Sequence, residues 1–483
     1  MRFNRRHRIR GWVAGAATVG LLLSVASMSE PGTIEAEGPI AGGDEVVTMV
    51  QAQQAVRPQL PTVVPFALQA NQSSEPISAE AVEERVRDAW RSRRLGSSDD
   101  RAVVVADAIN GDVLVDIDGD EPLTPASLTK VISAAAIMSA LPQEHTFTTR
   151  VVPGATAQDI VLVAGGDQLL TSGRSNPRAV VGRAGLSTLA SRTANALQSR
   201  EGSGAGDPVR VWLDTTYADG PSRAPQWTDF WLDNGFAGRI TMLGLEESRA
   251  LPSDPSPRDP AMVAAASFVD SLEEQGIEVV SEEIERVEAP AEPALAEVES
   301  APARDVLALA LATSDNAMIE QLSRQAALAD GAEIDQESVN AWVLSTVTET
   351  YGISTDGAVL ADTSGLSDGT QVPMSLIAET LMVGANGRHP ALQSALAGLP
   401  IAGLSGTLTD RFAGEAAISA RGVVRAKTGS LPQVASLAGT LSTEDGQMLV
   451  FAVSTNDVGG GAEGVEARAA IDRMIADLAA CGC

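Results

Sequence analysis

One stretch restricts the fold of this 483-residue chain more than any other: Ser127 to Leu141, SLTKVISAAAIMSAL, a helical pattern that is apolar on nearly every side. A helix without a polar face has nothing to offer water, so it must run through the centre of a domain. Ser127 and Lys130 stand at its start, one turn apart on the same face. Composition adds weight to that lysine. The chain has 34 basic residues, and only Lys130 and Lys427 are lysine. Where arginine supplies every ordinary positive charge, a retained lysine marks a place where arginine cannot work. Arginine stays charged at any working pH, whereas a lysine of lowered pKa can lose its proton and act as a base.

Both lysines fall in motifs. Lys130 ends Ser127-Leu128-Thr129-Lys130, an S-x-x-K, and Lys427 opens Lys427-Thr428-Gly429, a K-T-G. Between them lies Ser314-Asp315-Asn316, an S-D-N. Each alone is weak: S-x-x-K is common, S-D-N is a plausible helix N-cap, and K-T-G is a plausible strand end. Chance placement of both lysines in such contexts is on the order of one in a thousand or less. The order S-x-x-K, S-D-N, K-T-G is that of the penicillin-recognising serine enzymes.

The length calls for two or more domains. A net charge of −29 leaves no basic face for phosphates and excludes a nucleic-acid binder. Residues 1–28 read as an export signal: Arg2, Arg5, Arg6, Arg8 and Arg10 precede an uncharged, mostly apolar run from Gly11 to Met28. The run is also about long enough for a tilted span, so an uncleaved membrane anchor is the alternative. Either way the folded part is expected outside the cytoplasm. Residues 29–77 read as a linker. A helix is expected at Ala79–Trp90. Hairpins are expected around Asn110-Gly111 and Asp445-Gly446. One helix over Leu307–Leu322 is expected to carry the S-D-N, and an amphipathic helix closes the chain. Residues 168–300 differ in character. Trp212, Trp227 and Trp231 there read as a small aromatic core, with a Gly-rich loop at Gly202–Gly206 and an acidic surface connection over Glu282–Glu299. The expected fold is therefore α/β: an antiparallel sheet flanked by helices (78–167 and 301–483), with an inserted domain at 168–300. Cys481 and Cys483 are the only cysteines and read as a frayed tail with two thiols or an occasional bridge. No metal cluster or cofactor motif is evident.

The chain resembles the D-alanyl-D-alanine carboxypeptidase/endopeptidase family of low-molecular-mass class C penicillin-binding proteins. The residues that carry the resemblance are Pro125–Lys130, Gly165-Gly166-Asp167, Asp362-Thr363-Ser364-Gly365-Leu366-Ser367, and Leu399–Leu408 ahead of the K-T-G. It extends over roughly 79–480 and implies a transpeptidase/β-lactamase-like fold with an insert between the first two motifs. It also implies acyl transfer on peptidoglycan stem peptides, with β-lactams as inhibitors. Ser127 would attack, Lys130 would take its proton, and Ser314 would relay one to the leaving amine. Asn316 would bind the substrate amide, and Lys427 and Thr428 its terminal carboxylate. Gly429 completes the K-T-G, and the N–H groups of Ser127 and Ser430 would form an oxyanion hole. Asp315 reads as structural, Asp167 as a turn residue and His389 as a surface one. Three other readings compete. A class A β-lactamase needs a glutamate in an E-x-x-L-N, which does not occur between Asn316 and Lys427. An esterase of this type usually has tyrosine where Ser314 stands. A non-catalytic wall-binding module has no use for both lysines.

Overall fold

The computed structural model describes residues 77–199, 208–280 and 283–483. The export signal or anchor, the linker up to residue 76 and the Gly202–Gly206 loop lie outside the described residues. α1 (Ala79–Trp90) opens the fold, and the Ser78 hydroxyl caps it by accepting from the Ala81 N–H at 3.2 Å. β1 (Arg101–Asp107) and β2 (Val113–Ile117) form an antiparallel hairpin whose turn holds Gly111 at a φ of 84°. A single 3₁₀ turn, Ala126–Leu128, leads into α2 (Thr129–Ala140). Next come β3 (Thr148–Pro153), β4 (Asp159–Val163), β5 (Asp167–Leu170), α3 (Leu186–Gln198) and β6 (Arg210–Asp214). The short α4 (Asp229–Asp233), β7 (Leu243–Leu245), α5 (Pro260–Glu274) and β8 (Ala296–Glu299) complete the middle of the chain. The last part contains α6 (Ala303–Thr313), α7 (Asn316–Ala329), α8 (Gln336–Tyr351), α9 (Met374–Ala385) and α10 (Pro390–Leu396). It ends with β9 (Val424–Leu431), β10 (Val434–Ser442), β11 (Met448–Thr455) and α11 (Ala462–Ala479).

β1 from one end of the chain and β9, β10 and β11 from the other build one antiparallel sheet in the order β2-β1-β11-β10-β9. Successive residues of a strand face opposite sides, so a covered sheet feeds two cores. Ala102, Val104, Val450 and Ala452 enter the core around α2, while Val103, Val105, Leu449, Phe451 and Val453 enter another beneath α1 and α11. Every residue of α2 from Thr129 to Met138 is buried, with α7, α8, α9 and α10 packed round it, as its lack of a polar face requires.

A second sheet, β6-β4-β3-β8, carries a core of its own with α3 and α5. It draws β3 and β4 from ahead of residue 168, the boundary read from composition. β4 and β6 run parallel, which requires a crossover, and α3 lies between them in sequence. β5 and β7 form a separate parallel pair.

Several local readings change. The acidic connection ends in β8, paired with β3. Ala296 and Val298 are buried while Glu297 and Glu299 are exposed, a period-two signal that the acidic composition hides. The three tryptophans do not form one core: Trp227 and Trp231 share a cluster, whereas Trp212 packs elsewhere and donates to Asp159 at 3.1 Å. Cys481 is buried and disulfide-bonded to Cys483, whose carbonyl accepts from the Ser78 N–H at 2.8 Å, so the tail is docked rather than frayed. His389 is half-buried against Tyr351, at the cap of α10. Asp167 begins a strand and is buried, and its carboxylate accepts from the Leu169 N–H at 2.8 Å.

Candidate active site

Ser127 lies in the 3₁₀ turn ahead of α2, where the first N–H groups of a helix have no intrahelical acceptor. Ala126 just before it takes a left-handed φ of 50°. The turn is clamped from two sides. The Ser436 hydroxyl of β10 donates to the Pro125 carbonyl at 2.8 Å. On β9 a Cβ at Gly429 would overlap the Ser436 hydroxyl and lie 2.7 Å from the Pro125 carbonyl. Only glycine lets the K-T-G strand come this close to the Ser127 turn.

The S-D-N lies at a break rather than inside one helix. α6 stops at Ser314, which is left-handed at a φ of 58°, and α7 starts afresh at Asn316. Asp315 is the new N-cap, accepting from the Met318 N–H at 2.9 Å and pairing with Arg249 at 2.6 Å. The apolar pattern continues across the break because both helices are buried, which is why it reads as a single helix. The turn delivers the Ser314 hydroxyl and the Asn316 amide to the same small space.

That space holds both lysines, each fully buried. Lys130 Nζ lies 2.9 Å from Ser127 Oγ, 2.6 Å from Asn316 Oδ1 and 2.7 Å from the Ser364 carbonyl. Lys427 Nζ lies 2.8 Å from Ser314 Oγ and 2.8 Å from the Thr428 carbonyl. The Asn316 amide is oriented by its other end, since Nδ2 donates to the Phe236 carbonyl at 2.8 Å. Burial lowers Lys130 from the usual 10.5 to about 8, opposed by the negative charges of Asp362, Glu320 and Asp315. Lys427 is also pushed well below the ordinary lysine range, by burial first and by Lys130 second.

β9 is an edge strand. Its first half is covered: Ala402 donates to the Val424 carbonyl and Ala426 to that of Pro400, both at 2.9 Å. Backbone groups of alternate residues share a side, so Thr428 and Ser430 turn their N–H and C=O to the same edge, beyond that cover. Thr428 Oγ1 is held by Thr407 Oγ1 at 2.8 Å. The Ser430 side chain is exposed, with Arg468 3.4 Å from its hydroxyl.

Sequence reasoning gave no role to Asp362, Ser364 or Glu320, which surround Lys130. The Asp362–Ser367 loop wraps a buried carboxylate: Asp362 accepts from Ser364 N at 3.0 Å, Gly365 N at 2.6 Å, Ser367 N at 2.8 Å and Trp227 Nε1 at 2.8 Å. Glu320, one turn beyond Asn316 on α7, accepts from Ser364 N at 2.8 Å and from Gln336 at 3.0 Å. Burial raises its pKa to about 7, and Asp362 adds to the shift. Gly365 has a φ of 76°, and a Cβ there would meet the Ala126 carbonyl and lie 2.5 Å from Thr129 Oγ1. The loop is thus seated against the Ser127 turn, with the Ser364 carbonyl aimed at Lys130. Trp227, Phe236 and Arg249 come from the middle of the chain and bond Asp362, Asn316 and Asp315 respectively. The middle of the chain is therefore built into the site. Among the described residues no group of three or more histidine, cysteine or carboxylate side chains could hold a metal.

The family profile for D-Ala-D-Ala carboxypeptidase 3 (S13) matches residues 84–253 and 246–478. The chain belongs to the D-Ala-D-Ala carboxypeptidase 3 (S13) family. It is 33% identical over 388 residues to a carboxypeptidase of Mycobacterium tuberculosis, covering 78% of this chain and 80% of that one. Carboxypeptidase DacB of Mycolicibacterium smegmatis is 32% identical over 386 residues, with the same coverage. The D-alanyl-D-alanine carboxypeptidase of Actinomadura sp. is 28% identical over 437 residues, 73% of this chain and 77% of that one. In fold, the chain is similar to penicillin binding protein 4 of Haemophilus influenzae, with a TM-score of 0.63 and 20% identity over 83% of this chain and all of the other. As a member of the S13 family the chain is a peptidase, and its α/β fold with an antiparallel sheet flanked by helices is the one expected.

Proposed function

We propose that the chain is a serine-type D-Ala-D-Ala carboxypeptidase that acts on peptidoglycan stem peptides through an acyl-enzyme on Ser127, and that β-lactams acylate the same serine. The bonding of Lys130 carries this reading. A neutral lysine has two N–H groups and one lone pair. Asn316 Oδ1 and the Ser364 carbonyl only accept, so they take the two N–H groups. The lone pair is left for the third neighbour, Ser127 Oγ, which can donate. An arginine could not offer that lone pair.

The steps follow from this arrangement. Ser127 Oγ attacks the carbonyl carbon of the penultimate D-alanine as its proton passes to Lys130 Nζ. The oxyanion is met by the N–H groups of Ser127 and Ser430. As the carbon–nitrogen bond breaks, the Ser314 hydroxyl protonates the leaving amine and is reprotonated by Lys427, and Lys130 passes the proton taken from Ser127 on to Lys427, so that both lysines return to their starting forms. The remaining Asn316 Nδ2 hydrogen is available to a substrate carbonyl. The terminal carboxylate of the substrate lies against Lys427 and Thr428 and gives Lys427 the counter-charge that it lacks in the free site. D-alanine leaves, and water, with Lys130 again as base, hydrolyses the ester. Export by the segment at 1–28 would put this chemistry where peptidoglycan is. The test is to incubate the protein with a stem-peptide mimic ending in D-Ala-D-Ala and, separately, with nitrocefin. D-alanine release with slow nitrocefin turnover is expected. Nitrocefin turnover on the order of tens per second without D-alanine release would make it a β-lactamase.

A further inference from the structure

A cavity of about 230 Å³, lined by none of the site residues, opens between α9, α10 and the first half of β9. Leu381, Leu396, Leu399, Ile401 and Met448 make its wall apolar, and one cation interrupts it, Arg425. Arg425 precedes Lys427 by two residues on β9 and so points to the same face of the sheet. Its Nη1 donates to the carbonyls of Ala397 and Leu399. Its Nε and Nη2 make no hydrogen bond to the protein, and no carboxylate pairs with it among the described residues. Burial depresses its pKa with no acidic side chain to oppose the effect. Nε and Nη2 form the side of the guanidinium that grips a carboxylate with two parallel hydrogen bonds. An apolar wall with one unneutralised guanidinium suits a ligand that is mostly apolar and ends in an anion.

We propose that this cavity binds an aliphatic carboxylate, its chain among Leu381, Leu396, Leu399 and Ile401 and its carboxylate on Nε and Nη2 of Arg425. A cavity of about 150 Å³ is enough for benzene, so this one holds a chain of roughly six to eight carbons. Affinity rises about three- to fourfold per methylene while the cavity fills, then levels off.

The test uses the full chain with octanoate, hexanoate and octanol in calorimetric titrations, and a diazirine-bearing octanoate for photolabelling and peptide mapping. The proposed peptidase site also takes carboxylates, so the place of labelling separates the two. Label within 381–401 or 422–425, octanoate at least tenfold tighter than octanol, and at least tenfold loss in R425M are expected. Arg425→Met removes two carbonyl contacts, so Ala385→Phe, which fills the cavity from the end of α9, is a second variant. It should abolish octanoate binding while leaving penicillin acylation of Ser127 unchanged. Label at Ser127, Ser314 or Thr428, equal affinity for octanol, or undiminished binding in A385F would each overturn the proposal. Failure of acylation itself would count against the peptidase mechanism and leave the cavity readouts intact.

Discussion

If Lys130 is the base, acylation should follow the fraction of Lys130 that is neutral. With a pKa of about 8, that fraction is about one tenth at pH 7 and about nine tenths at pH 9. The acylation rate constant with a labelled penicillin should therefore rise about tenfold between these values and level off above. Glu320 provides a second handle. Its negative charge holds the Lys130 pKa up, and its own pKa is about 7, so the two groups titrate together across the same range. Glu320→Gln keeps an acceptor for the Ser364 N–H and removes the charge. Lys130 then loses its proton more easily, the rising limb moves to lower pH, and the rate at pH 7 increases. The variant should fold. A carboxyl whose pKa rises from 4.5 to about 7 on folding loses stability as pH climbs between those values, about 3 kcal/mol by neutral pH and above. Glutamine removes that cost and loses the acceptor for Gln336, worth about 1 kcal/mol. Stopped-flow acylation of both proteins from pH 6 to 9 is the assay. A flat profile, or a limb that moves to higher pH in E320Q, would refute the reasoning.

The two lysines should fail differently. Lys130→Arg should cost about 10²–10⁴-fold in acylation because no neutral form remains. Lys427→Arg should cost less and fall more on substrate affinity, read from kcat and KM separately; equal, near-wild-type rates would contradict the assignment. Trp227→Phe removes the indole N–H from the buried Asp362 carboxylate and should cost about 1.5–3 kcal/mol in denaturant unfolding, with slower acylation. Gly365→Ala puts a Cβ on a left-handed residue against the Ala126 carbonyl; about 1–3 kcal/mol of stability and at least tenfold in acylation should be lost, checked by thermal melting and penicillin labelling.

The parts legible in sequence are those written by local chemistry. The Asn110-Gly111 and Asp445-Gly446 turns gave their hairpins, and the apolar run after Ser127 gave the central helix. The scarcity of lysine pointed to two side chains that the fold buries near one another. Local pattern failed where tertiary contact decides. A buried break looks like a continuous helix, so the left-handed turn at Ser314 was missed, although the Asp315 N-cap was readable as a signal. Alternation in β8 was masked by its glutamates. Asp362 and Glu320 gave no sign of their work because their partners, Trp227, Ser364 and Gln336, are set by packing.

The central claim is that Ser127 carries the acyl group. The most direct measurement is mass spectrometry of the protein after exposure to a labelled penicillin, followed by peptide mapping. One penicilloyl adduct is expected on the peptide containing Ser127, and none in Ser127→Ala. An adduct on any other residue, or one that persists in Ser127→Ala, would contradict it.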